Sequence, residues 1–177
     1  VMDDLAGEME AAVRAELAQR LSAASVLPSR LARRLAHDEL EVASPLLGYG
    51  SLSQADLISV ATSGGQDHLR LISQRHDVSA DLADAIVAKS DDDTLGVLLR
   101  NQNAVLSRQA HETAIDRAAV NPDLHEAVVN RAAVPPDLLN EMYFVVETRL
   151  RDQIMSRNAG LDPAALEAIL RGAAPDG

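Results

Sequence analysis

An apolar residue followed by a helix-starting residue recurs along this chain at an almost constant interval: Leu52-Ser53, Val78-Ser79, Leu106-Ser107, Val134-Pro135 and Leu161-Asp162. Successive spacings are 26, 28, 28 and 27 residues. A fixed period in this range marks a stack of like units, each too small to bury its own apolar face and forced to share it with the next. Each unit reads as two short amphipathic helices. First helices carry Leu69, Leu71 and Ile72; Leu95, Leu98 and Leu99; Leu124, Val128 and Val129; then Leu150 and Ile154. Second helices carry Leu57, Ile58 and Ala61; Leu82, Ile86 and Val87; Ala110, Ala114 and Ile115; Leu138, Leu139 and Met142; then Leu166, Ile169 and Leu170. Ser53, Ser79 and Ser107 stand where an N-cap hydroxyl belongs, and Gly64-Gly65 closes one second helix.

Two stretches depart from the plain repeat. Leu5, Met9, Val13, Leu17 and Leu21 step by four residues and draw a stripe on an N-terminal helix, expected either to cap the open end of the array or to be covered in a homodimer. From Pro28, a helix with Leu31, Leu35 and Ala36 leads into the first helix of the first repeat, Leu40 to Leu47, where Pro45 predicts a kink or restart. Between Leu138 and Arg157 no Gly or Pro appears, so the period alone predicts a break near Glu147-Thr148.

The composition agrees with stacked short helices. In 177 residues, hydrophobic types make up 47% but aromatics only 2%, so the core must be built from Ala, Leu, Val and Ile at close helix spacing. There is no cysteine, which excludes disulfides, thiolate catalysis and sulfur-ligated zinc and points to the cytoplasm. The acidic start VMDDLAGEME is the reverse of a signal peptide, and no apolar run is long enough to span a bilayer, so no membrane is expected. A net charge of −11 with a single Lys argues against nucleic acid, leaving Arg30, Arg33 and Arg34 as the only basic cluster. The chain begins inside a helical pattern and reads as a piece of a longer protein.

Candidate chemistry is sparse. Arg75, Asn101 and Asn103, Arg131, and Arg157 with Asn158 fall just before or within the hinges, where they can satisfy orphan carbonyls at the end of the helix they follow. His37-Asp38, His68 and His76-Asp77 resemble the ligand set of metal-dependent HD phosphohydrolases, an alternative that requires all five to converge on one ion. His111 and His125 fall outside that pattern. No G-x-S-x-G, P-loop, G-x-G-x-x-G or H-E-x-x-H is present, so no enzyme, cofactor or resident metal is expected. The second helices instead place Asp56, Asp81, Asp84, Glu112, Asp116 and Glu141 on their polar sides, an acidic stripe suited to a protein partner with a basic helix or tail.

The segments PSRLARRLAHDELEVASPLL, SLSQADLI, ISQRHDVSADLADAIV and LLRNQNAVLS together resemble the domain-of-unknown-function 2336 family of alphaproteobacteria, over about Pro28 to Leu170. The resemblance implies a bacterial cytoplasmic protein with HEAT-like helical repeats and brings no established activity or site residues. The expected fold is therefore all-α: a right-handed α-solenoid of about five helix pairs, one repeat domain over 1–172. Residues 1–24 are its N-terminal cap, 28–172 its repeats and 173–177 a flexible tail. The expected role is a non-enzymatic scaffold or regulatory adaptor.

Overall fold

The computed structural model describes residues 2–24 and 28–157 together with 164, 167, 168 and 171, giving only the backbone for 2–9. Ten α-helices and one 3-10 turn are present among the described residues, and no strand. They are α1 (Met2–Ser22), α2 (Ser29–Ala36), α3 (Leu40–Tyr49), α4 (Gln54–Ser63), α5 (Gln66–Ser73), α6 (Ala80–Lys89), α7 (Asp92–Arg100), α8 (Arg108–Val120), the turn Pro122–Leu124, α9 (His125–Val129) and α10 (Pro136–Arg157). None of these helices is long and apolar enough to cross a membrane. The hinge Leu161-Asp162, the stripe Leu166, Ile169 and Leu170, and the 173–177 tail lie outside the described residues.

The caps form as the repeat predicts. Ser53, Ser79 and Ser107 each accept a hydrogen bond from the amide three residues on, at Asp56, Leu82 and Ala110. The preceding Leu52 and Val78 are buried, and Leu106 packs against the core. At the fourth hinge Val134 is buried and Pro135-Pro136 starts α10, Pro136 standing where a missing N–H costs nothing.

Packing follows the alternation of first and second helices. α3, α5, α7 and α9 touch in succession, and so do α4, α6, α8 and α10, giving two rows with one shared core between them. Leu46, Leu57, Leu69, Ile72, Leu82, Ile86, Leu95, Leu98, Leu99 and Ile115 are fully buried there. Each contributes roughly 1.5–3 kcal/mol by leaving water. Gly50 and Gly64 permit tight helix ends, since a Cβ at either would stand 2.7 Å from the carbonyl oxygen four residues back.

The hinge polar residues make a ladder, one repeat further back than expected. Arg75 donates from Nη1 to Leu47 O (2.9 Å) and Leu46 O (3.3 Å) and from Nη2 to Gly50 O (2.9 Å), so it closes α3 rather than its own helix. Asn101 Nδ2 donates to Ser73 O (2.8 Å) and Arg75 O (2.7 Å) at the end of α5. Arg131 donates to Leu99 O, Asn101 O and Ala104 O beyond α7. Both Arg side chains are buried. Orphan carbonyls of one helix are thus satisfied by the following repeat, and Val105 N–H donates to Val78 O (3.0 Å) to join two hinges directly.

Four expectations are corrected. Val13 and Leu17 are exposed, at 68% and 39%, while Ala18 is buried and Ala15 and Leu21 pack against the core; α1 lies on α3 and α2 through its small residues. A four-residue step advances 400° around a helix, so five such positions drift by about 160° and leave any single face. Second, α10 runs unbroken through Glu147-Thr148, because every residue there can continue a helix. Third, of the kink or restart expected at Pro45, the restart does not occur, since α3 continues through it. Fourth, Val129, Leu139 and Leu150 stand out to solvent although the repeat assigned them to the core.

Candidate functional site

The second helices α4, α6, α8 and α10 lie side by side, so their outward residues share one surface. Asp81, Asp84, Glu112, Asp116 and Glu141 are exposed on it. Asp56 is not: it is only 8% exposed and accepts from Arg33 Nε at 2.8 Å, an ion pair that ties α4 to α2. Its place in the first turn of α4, directed toward the preceding helices, removes it from the stripe.

The remaining acids divide by partner. Asp84 accepts from the Ser107 hydroxyl at 2.6 Å. Glu112 accepts from Arg108 Nε at 2.9 Å, and the same guanidinium reaches Asp137 on α10. That pairing holds the Asp137 carboxyl below the usual carboxylate range and raises Arg108. Arg117 is taken by Asp92 (2.8 Å) and Ser90, and Lys89 donates to the Thr62 carbonyl. Asp81, Asp116 and Glu141 have no ion-pair partner among the described residues. Arg108, Arg117 and Lys89 are thus engaged, while Arg149 on α10 makes no ion pair among the described residues.

Two grooves cut the surface. The first, of about 450 Å³ between α6 and α8, is lined by Asp84, Val87, Ala110, Gln109, Thr113 and Arg117. The second, about 330 Å³ between α8 and α10, is lined by Ala119, Glu141, Phe144, Val145, Thr148, Arg149 and Asp152. The acidic pattern signalled the carboxylates of these grooves and gave no hint of the apolar residues beside them, Val87 and Ala110 in the first and Phe144 and Val145 in the second. Phe144 was readable only as one of three aromatic residues in the chain, two of them adjacent.

The histidine and aspartate set takes other contacts. The two ring nitrogens of His37 lie 3.2 and 3.1 Å from the hydroxyls of Ser59 and Ser63 on α4. Asp38 pairs with Arg14 of α1 (2.8 Å), while His68 Nε2 donates to the Asp38 backbone carbonyl (2.9 Å). Asp77 is held by Arg75 at 2.8 Å, which keeps its carboxyl low, and His76 is exposed. No three of His, Asp or Glu among the described residues come together as cation ligands. Arg30, Arg33 and Arg34 are exposed on α2, with Arg33 committed to Asp56.

His111 is the one buried histidine. Its Nδ1–H donates to Ser107 O (3.0 Å), which leaves Nε2 as a lone-pair acceptor, and Nε2 has no partner. Burial first, and the positive Arg131 guanidinium nearby, push its pKa down. Arg131 Nε likewise lacks a partner, and burial lowers Arg131 in turn.

No curated protein and no solved structure matches the chain. A family model does, over residues 42–176, from the first turn of α3 onward. By that match the chain belongs to the family described as an uncharacterised protein conserved in bacteria, DUF2336.

Proposed function

We propose that this chain is a right-handed, HEAT-like α-solenoid that works as a non-enzymatic scaffold or regulatory adaptor, holding a protein partner on the surface of its second helices. The observation that carries the reading is the hinge ladder: Arg75, Asn101 and Arg131 each bind the preceding repeat, which fixes the pitch of α4, α6, α8 and α10 as one continuous face. An array held in register over several repeats presents a long surface to a partner, whereas catalysis needs a few groups converging on one point.

The charge of that face selects the partner. With Arg108, Arg117 and Lys89 engaged by the chain itself, Asp81, Asp116 and Glu141 are left to attract a basic helix or tail. The protein works in the cytoplasm, in keeping with the lack of cysteine. The test immobilises the native chain and an Asp84→Lys/Glu112→Lys/Asp116→Lys form and exposes both to soluble extract of a bacterium that carries it. A protein retained by the native form alone is expected. Equal retention by both forms, with helicity unchanged, would remove this face as the docking side.

A further inference from the structure

The geometry points to the groove between α8 and α10 as the seat of an amphipathic helix from a partner protein, basic along its flanks and anchored on Phe144. This deepens the reading above and rests on the second helices forming the docking side.

The orientation of α8 is set by its contacts. Glu112 shares Arg108 with Asp137 of α10, so the strip of α8 that carries Glu112 faces α10. Asp116 and Ala119 follow Glu112 at four and seven residues and lie on the same strip, and Ala119 lines the groove. Across from them, Phe144, Val145, Thr148 and Asp152 follow Glu141 along α10 at three, four, seven and eleven residues. Ala119, Val145 and Phe144 thus form an apolar strip beside Thr148 and Arg149, flanked by Asp116 on one side and by Glu141 and Asp152 on the other.

Three further observations call for an occupant. Phe144 is 54% exposed in a chain that can spend few aromatics, and Tyr143 beside it is 63% exposed. Their rings meet edge to face, with centroids 5.6 Å apart at 79°, so each restricts the other, as a preorganised anchor requires. Asp116, Glu141 and Asp152 have no ion-pair partner among the described residues. The groove wall also holds one guanidinium, Arg149, whose Nε–H is shielded from solvent, so the carboxylates of Asp116, Glu141 and Asp152 outnumber the cation and set the sign of the groove. An apolar trough with charged rims is the form that receives a helix laid lengthwise, its stripe down and its basic flanks against the carboxylates.

The test uses the whole chain and a fluorescent helical peptide of about four turns, with Leu along one stripe and Lys on both flanks. Its twin carries Glu in place of Lys. Fluorescence anisotropy should show the Lys peptide binding and the Glu twin failing. Phe144→Asp should weaken the Lys peptide at least about tenfold, and Asp116→Lys/Glu141→Lys comparably, while Phe144→Leu retains binding. All three sites are exposed, and circular dichroism is the check that each variant folds. Asp81→Lys/Asp84→Lys, on the α6 side, should weaken binding less than Asp116→Lys/Glu141→Lys does, and Asp93→Lys/Glu126→Lys, on the first helices, should leave affinity within about twofold.

If only Asp81→Lys/Asp84→Lys abolished binding, the second-helix face would stand and this groove would be wrong. Equal affinity for both peptides, or indifference to every variant, would overturn the groove and leave the wider face without support. Concentration-dependent dimers that Phe144→Asp dissolves would assign the groove to a second copy and overturn the proposal.

Discussion

Arg75 and Arg131 occupy matching places in their hinges yet differ in one neighbour. Two residues beyond Arg75 stands Asp77, which accepts from Nε at 2.8 Å; two residues beyond Arg131 stands Ala133, and Nε is unpaired. Arg131 is therefore a buried cation held by carbonyl oxygens alone. Arg131→Ala should cost about 3 kcal/mol in urea unfolding, because it orphans acceptors at Leu99, Asn101 and Ala104, and Arg131→Lys should recover little of it for want of a two-pronged donor. His111 next to it gives the chain a pH response. Its folded pKa lies below the unfolded value of 6.5, so the unfolded chain binds the proton first. The contribution of His111 is complete above about pH 6.5 and is lost as pH falls below it. Urea midpoints should drop as pH falls below about 6.5, and His111→Gln should flatten that part of the profile. None of this was visible in the sequence beyond the presence of Arg and His: the repeat marks where a hinge donor stands, but which repeat it serves depends on how far the helices climb per turn of the array.

Among the elements, those with local punctuation were legible and those without were not. Ser53, Ser79 and Ser107 combine a hydroxyl, an apolar residue before and a stripe after, and each caps the helix it announces. Ser79→Ala should lower stability by about 1 kcal/mol, measured by thermal or urea unfolding. The unbroken α10 has the opposite cause. A period gives the position of a boundary, but a boundary also needs a residue that ends a helix, and NEMYFVVETRLRD has none. Thr148→Pro tests this: within a continuous helix it should cost about 3 kcal/mol and reduce the helical signal, whereas at the start of a new helix it would be nearly neutral. The same continuity explains why Leu150 stands exposed, since the helix no longer turns back where the repeat would have buried it. The α8–α10 groove could not be read from the sequence for a similar reason: its two walls come from different repeats, and only their packing makes a trough.

On the scale of the whole molecule, α1 lies on α3 and α2 and is fastened by the Arg14–Asp38 pair. Removing residues 1–24 should expose the apolar side of α3, lower stability and produce concentration-dependent association, checked by light scattering. At the other end, α9 has five residues, and among the described residues the ladder's last rung is Arg131. Each rung needs the repeat that follows it, so the array resembles a zipper whose teeth are locked from behind. Amide hydrogen exchange should then show a gradient, slowest in α5 and α7 and fastest in α9 and the far half of α10, with opening that starts at that end and runs backward one repeat at a time.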